Sequence, residues 1–146
     1  MSITTKQGDG GCTSLPGAGN AAGTRCAAGR VSKDDPRIEC LGALDELDAA
    51  LALCEMRLDA GGMETIAALI GAIRHTLFSV VMPAAAGLSP AAGPDTDTLE
   101  RWINEREKSN PIRGFIRRWT KPAAACLNMA RTICRRAERN MTAAAI

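Results

Sequence analysis

The stretch Asp34-Asp35-Pro36-Arg37-Ile38-Glu39-Cys40-Leu41-Gly42-Ala43-Leu44-Asp45-Glu46-Leu47-Asp48, running on through residues 49–60 to Gly61-Gly62, decides the fold. Asp35 before Pro36 is a capping residue followed by a proline at the first helical position, which announces a helix start. Cys40, Leu44, Leu47, Leu51, Cys54 and Leu58 then alternate steps of four and three, so one apolar stripe runs along a helix to about Leu58. Gly61 and Gly62 stop it. A second helix over about residues 63–82 repeats the pattern at Ile66, Ile70, Ile73, Leu77 and Val80, with Pro83 expected to close it. After a Pro/Ala/Gly linker, a third and shorter helix is expected from near Asp97, carrying Leu99, Trp102, Ile103 and Arg106 before Pro111. A fourth begins after Pro122, with Leu127, Ala130, Cys134, Ala137 and Met141 as its buried stripe. The prediction is an all-α, antiparallel helical bundle of four helices.

Composition agrees. The 146 residues are 46% hydrophobic and 23% charged, which fits one globular domain over residues 1–146. Only Phe78, Trp102, Phe115 and Trp119 are aromatic, so the core must be aliphatic and alanine-rich, and base-stacking nucleic-acid modules are disfavoured. No run of about 18 uninterrupted apolar residues is present, and residues 1–11 offer no apolar signal, so a cytoplasmic protein without a membrane or nucleic-acid partner is expected. The six cysteines form no Cys-x-x-Cys pair, and several fall in helical stripes. They are expected as reduced, structural thiols.

Charge is unevenly spread. Residues 1–110 carry 10 basic and 15 acidic side chains, whereas residues 111–146 carry 8 basic ones against Glu138 alone. This cationic quarter suits a polyanionic partner, or is simply a solvated helix face. On the last helix Asn128, Arg131, Arg135 and Glu138 recur at three- and four-residue steps, with Arg136 and Arg139 alongside. Arg135 and Glu138 are placed to pair across one turn.

Residues 2–31 are rich in Gly, Ser, Thr and Ala without periodicity and read as an irregular segment. Within it, Thr5-Lys6-Gln7-Gly8-Asp9-Gly10-Gly11-Cys12-Thr13-Ser14-Leu15 combines glycines that free backbone amides with hydroxyl and ammonium donors, a composition able to approach phosphate. Flexible termini share that composition. Gly17-Ala18-Gly19 has neither the strand before it nor the helix after it that a dinucleotide fingerprint requires. His75 is the only histidine, which argues against both a structural zinc site and histidine acid–base catalysis.

Three motifs together resemble the PduO-type ATP:cob(I)alamin adenosyltransferases, the family of the methylmalonic aciduria type B protein. They are Thr5-Lys6-Gln7-Gly8-Asp9-Gly10-Gly11 with Thr13-Ser14-Leu15; Arg30-Val31-Ser32-Lys33-Asp34-Asp35-Pro36-Arg37-Ile38-Glu39 with Gly42 and Asp45-Glu46-Leu47; and Ala130-Arg131 with Arg135-Arg136-Ala137-Glu138-Arg139. The resemblance implies a homotrimer of helical bundles, five helices per chain in the family, with active sites between subunits. It implies transfer of the 5′-deoxyadenosyl group of ATP to cob(I)alamin, with Mg2+ bridging phosphate oxygens and a flavoprotein or other reductase supplying Co(I). By the same resemblance, residues 1–34 form the ATP-binding segment, in which Thr5, Lys6, Gln7, Gly8, Thr13 and Ser14 wrap the nucleotide and Lys33 contacts its phosphates. Arg135, Arg136, Glu138 and Arg139 complete the pocket from the adjoining subunit, Asp35 and Arg131 pair across the subunit boundary, and Phe115 occupies the lower face of the corrin. The residue-level alternatives are that Asp35 only caps its own helix and that Phe115 is a core residue.

The sequence departs from the family pattern in places. Arg117-Arg118-Trp119-Thr120 stands where a Leu-Pro-Gly-Gly turn is usual, extra residues lie around Gly19 to Ala28, and Asn128 replaces a frequent histidine. The family's last helix, with its Tyr-Leu-Asn-Arg-Leu-Ser-Asp signature, is not found before Ile146. A catalytically weakened relative, binding ATP or a corrinoid as carrier, sensor or assembly component, is therefore the alternative expectation.

Overall fold

The computed structural model describes residues 6, 8–16, 18, 26–93, 96–111, 113–114 and 119–144. Two short strands, β1 (Cys12–Ser14) and β2 (Arg30–Ser32), precede α1 (Pro36–Asp59). Then follow α2 (Glu64–Ala85), α3 (Thr96–Ser109) and α4 (Pro122–Ala143). The N-terminal segment is thus not wholly irregular: β1 and β2 pair antiparallel with Thr13 opposite Val31. Strands of three residues are too short to display an alternation in sequence.

Helix α1 is the centre of the molecule. Its predicted stripe of Cys40, Leu44, Leu47, Leu51, Cys54 and Leu58 is buried throughout, joined by Ala43 and Ala50. Leu58, Cys40 and Cys54 are its most completely enclosed residues, and burial pushes both thiols up, away from the reactive thiolate. Asp35 caps the helix as expected, its Oδ1 accepting from the Arg37 amide at 2.9 Å. The Arg37 guanidinium closes on the same carboxylate through Nε at 3.0 Å and Nη2 at 2.8 Å. At the other end Gly62 adopts a left-handed φ of 68°, and the Met63 amide reaches back to the Leu58 carbonyl at 3.0 Å.

Helix α2 runs two residues past Pro83, its expected stop. A wider π turn at Leu77–Val81 carries the chain through, with the Met82 amide bonding to the Leu77 carbonyl. Proline has no N–H to offer the Ser79 carbonyl one turn back. The Ala91 amide from the following linker takes that place at 3.0 Å, which is why the helix survives its proline. By length and composition α2 is apolar enough to cross a membrane, with mean hydropathy 1.6. Counting only uninterrupted apolar runs missed this, since Arg74 divides the helix. That arginine ties α2 to α1: Nε donates to Asp48 Oδ1 at 2.9 Å and Nη1 to Glu55 Oε2 at 2.8 Å. The two carboxylates raise the Arg74 pKa above its ordinary value, Asp48 contributing most.

Helix α4 lies along α1, its Ala123, Ala130 and Ala137 buried at seven-residue steps. Such small residues let the two backbones approach closely. Cys134, expected in the stripe, is exposed, while Ile133 packs on the core. One neighbouring helix covers only a narrow strip, and Cys134 falls outside it. Helix α3 forms as expected but buries none of its residues. Leu99 is 39% and Ile103 57% exposed, and Trp102 and Leu99 face a cleft against Leu77 and Val80 of α2.

The cysteine expectation also needs correcting. Cys40, Cys54, Cys126 and Cys134 are free thiols, but Cys12 and Cys26 are joined in a disulfide. Their fourteen-residue separation gives no Cys-x-x-Cys signal. Only the hairpin, which returns the chain to β1, brings them together.

Two outcomes follow for stability. Arg74→Met leaves Asp48 and Glu55 facing each other without their shared cation, and should cost about 2 kcal/mol, or roughly 5 °C in melting temperature; an unchanged melting curve would leave those ion pairs without weight. Asp35→Ala should cost about 1 kcal/mol at pH 7 through the lost cap. Hydrogen bonding from the Arg37 side chain holds the Asp35 carboxyl below its ordinary value, against a smaller opposing effect of burial. A depressed folded-state pKa means that this stabilisation is complete above about pH 4 and fades as acid protonates the group below it. Urea titrations at pH 7 and pH 3 should therefore show the gap between wild type and variant narrowing at the lower pH.

Candidate functional site

Two cationic, glycine-rich or arginine-rich regions carry the predicted site. The first is the hairpin with its preceding turn. The Asp9 amide bonds to the Lys6 carbonyl at 3.3 Å and the Gly11 amide to the Gly8 carbonyl at 3.2 Å, winding two successive turns ahead of β1. Lys6 holds a left-handed φ of 57°, unusual for a side chain other than glycine, asparagine or aspartate. Gly11 adopts the same region at 74°. These turns are fastened to the start of α1 by the Lys33 amide, which donates to the Gly11 carbonyl at 2.9 Å, and by Arg30 Nη2, which donates to the Cys12 carbonyl at 2.7 Å.

The end of the Lys33 side chain lies over Gly8, where a Cβ would stand 3.0 Å from Nζ and 3.2 Å from Cε, a contact the flexible lysine could relieve by moving. Lys6, Gly8, Thr13, Ser14 and Lys33 thus share one small structural unit, and Lys6 and Lys33 are exposed on it. Thr5 and Gln7 lie outside the described residues, as does Phe115.

The second region is the exposed face of α4. Arg135 Nη1 pairs with Glu138 Oε2 at 2.6 Å, both side chains more than half exposed, as the spacing predicted. Exposed pairs of this kind are worth a few tenths of a kcal/mol, so Arg135 is held in place at little cost to its release. Arg139 Nη1 donates to the Arg135 carbonyl at 3.0 Å, and Arg131 donates to Asn128 Oδ1 through Nε at 3.2 Å and Nη2 at 3.1 Å. Arg136 differs from its neighbours: its guanidinium crosses to Glu46 on α1. Sequence reading placed Arg136 with the phosphate-facing arginines and attached no partner to Glu46. Only the register of the two helices reveals this pair.

That register has a consequence for the site. With Glu46 opposite Arg136, and Leu58 beside Ala123 at the other end, α1 and α4 run antiparallel. Along that register Arg139 and Arg135 stand level with residues 43 and 47 of α1, roughly 12 Å and 18 Å along the axis from Asp35 at 1.5 Å per residue, so Arg135 lies beside the middle of the helix rather than at the hairpin. Arg131 sits further along, level with Leu51 of α1 and roughly 24 Å along the axis from Asp35 at 1.5 Å per residue. Asp35 is engaged by Arg37, and Arg131 by Asn128. Within one chain these two residues are separate. His75 is exposed on α2, and among the described residues no three His, Cys, Asp or Glu side chains converge to hold a metal ion.

Comparison with known proteins agrees with this architecture. The model of the family described as cobalamin adenosyltransferase matches residues 3–146. The corrinoid adenosyltransferase PduO of Salmonella typhimurium is 36% identical over 149 residues, covering 97% of this chain and 40% of that protein. A corrinoid adenosyltransferase of Citrobacter freundii is 30% identical over 149 residues, covering 97% of this chain and 77% of that protein. The chain thus spans about two-fifths of the length of the Salmonella relative and about three-quarters of the second. Among solved structures, a variant PduO-type ATP:corrinoid adenosyltransferase from Lactobacillus reuteri, complexed with cobalamin and ATP, superposes with a TM-score of 0.61 at 25% identity, covering 97% of this chain and 74% of that one. With a family match over nearly every residue and the same helical scaffold, this chain belongs to the cobalamin adenosyltransferase family.

Proposed function

We propose that this chain catalyses transfer of the 5′-deoxyadenosyl group of ATP to cob(I)alamin. The electron pair of Co(I) forms the new bond to ribose C5′, the C5′–O bond breaks, and its electrons leave with triphosphate. Such a nucleophile needs no protein base. The work left to the protein is to align cobalt with C5′ and to stabilise charge on the departing triphosphate. The single observation that carries this reading is the family match over residues 3–146, and the chain supplies two exposed cationic regions for it, Lys6 and Lys33 at the hairpin and Arg135 and Arg139 on α4. Mg2+ would be carried by the nucleotide's phosphate oxygens.

The site in this reading lies between copies of the chain. Asp35 and Arg131 are too far apart to pair within one subunit, so their pairing requires a neighbour whose Arg131 displaces Arg37 from part of the Asp35 carboxylate. Met56 is 70%, Phe78 58% and Met129 45% exposed, and in this reading they are candidates for cover by a neighbouring copy. A homotrimer in the cytoplasm, supplied with Co(I) by a flavoprotein or other reductase, is the assembly we infer. By the family resemblance Phe115 would face the corrin and favour reduction of Co(II) to Co(I).

The test is spectroscopic. Chemically reduced cobalamin with ATP and the protein should give the photolabile adenosyl product. A shifted corrinoid spectrum or bound nucleotide without that product would instead identify a carrier or sensor, the reading favoured by Arg117-Arg118-Trp119 beside Phe115. Arg135→Ala should lower turnover and ATP affinity about 100-fold, because charge-assisted contacts to phosphate are lost in a shielded site. Its melting temperature should stay within about 2 °C of wild type, since only an exposed pair is removed; unchanged turnover in that variant would refute the phosphate assignment. Phe115→Ala should impair the route from Co(II) far more than the route from pre-reduced Co(I).

A further inference from the structure

Hairpin β1–β2 is a weak structure by its own means. Each strand has three residues, and residues 15–29 connect them. Two short strands without a third are marginal in water, and a long connection adds an entropic cost to bringing them together. The disulfide between Cys12 and Cys26 shortens that connection, holding the two Cα atoms 5.9 Å apart. Cys12 is the first residue of β1, and its carbonyl accepts the Arg30 guanidinium. Cys26 stands directly before the turn in which the Arg30 amide bonds to the Ala27 carbonyl at 3.0 Å. The crosslink therefore anchors both ends of the clamp that fixes the turns at residues 8–11 against Lys33. Both cysteines are half-buried, whereas Cys40 and Cys54 are sealed in the core.

We propose that Cys12 and Cys26 form a reversible redox tie that orders the hairpin and thereby sets its affinity for the nucleotide. The affinity part rests on the nucleotide reading above; the ordering part does not. The chemistry is thiol–disulfide exchange with a dithiol donor. A donor thiolate attacks one sulfur, the Cys12–Cys26 bond breaks, and a mixed disulfide forms. The donor's second thiol resolves it, leaving two protein thiols and an oxidised donor. Two electrons and two protons pass from donor to protein, and a disulfide oxidant such as oxidised glutathione runs the exchange in reverse. The tied form binds ATP and the reduced form binds it weakly.

The experiment compares the full chain oxidised with glutathione disulfide and reduced with dithiothreitol, in the absence of corrinoid. Alkylation after unfolding should find four thiols in the first form and six in the second. Calorimetry should find ATP binding at least about 10-fold weaker after reduction, with Cys12→Ser fixed at the weaker value in both conditions. Hydrogen exchange at the Thr13 and Val31 amides should quicken at least about 10-fold on reduction. Six alkylated thiols after oxidation, equal affinity in the two forms, or a Cys12→Ser variant binding as tightly as oxidised protein would each overturn the proposal. If ATP binds to neither form, the nucleotide reading fails by itself, and exchange then decides the ordering: faster on reduction upholds the tie, unchanged overturns it.

Discussion

The seam between α1 and α4 is the constraint on which the rest of the molecule depends. On one side stand the buried Leu44, Leu47, Leu51 and Leu58, and on the other Ala123, Ala130 and Ala137, whose small side chains let the helices close together. Each buried leucine contributes about 2 kcal/mol. The seam alone would permit sliding along the axis, and the Arg136–Glu46 pair at its edge marks one register. That register turns the C-terminal end of α4 toward the N-terminal hairpin and places Arg135 beside the middle of α1.

The same seam bears on the proposal that the site lies between copies of the chain. Antiparallel helices place Arg131 level with Leu51 and Asp35 ahead of the first residue of α1, so on that proposal a pair between them would join two copies. In one chain both groups settle on local partners, Arg37 and Asn128. Apolar side chains left bare on α1, α2 and α4, such as Met56, Phe78 and Met129, are what an associating bundle would cover. Solvent-exposed pairs such as Arg135–Glu138 give the arginines a resting arrangement weak enough for triphosphate to replace.

The helices were legible in the sequence because their stripes are long and their caps chemically explicit. Asp35-Pro36 and Gly61-Gly62 bound α1 almost as the local rules require. What escaped reading depends on contacts remote in sequence. Pro83 reads as a stop unless Ala91 is known to satisfy the Ser79 carbonyl. Cys134 reads as core until it is clear that α4 has one principal neighbour. The Cys12–Cys26 bond depends on a hairpin whose strands are too short to be recognised. For the site, Lys33, Gly8 and the α4 arginines were identifiable by motif, but the packing of Lys33 over Gly8 and the diversion of Arg136 to Glu46 belong to three-dimensional register.

Subunit complementation tests the central claim most directly. Lys33→Ala and Arg135→Ala each disable one half of the proposed site, and mixing the two unfolded proteins before joint refolding allows them to assemble together. If a site takes its hairpin from one copy and its α4 from the next around a head-to-tail ring, about a quarter of the interfaces in a random equal mixture carry both intact halves. Adenosylation should then recover to about a quarter of the wild-type rate. Activity remaining at the level of the separate variants, in mixtures proven to contain hybrid oligomers, would contradict a site built between chains.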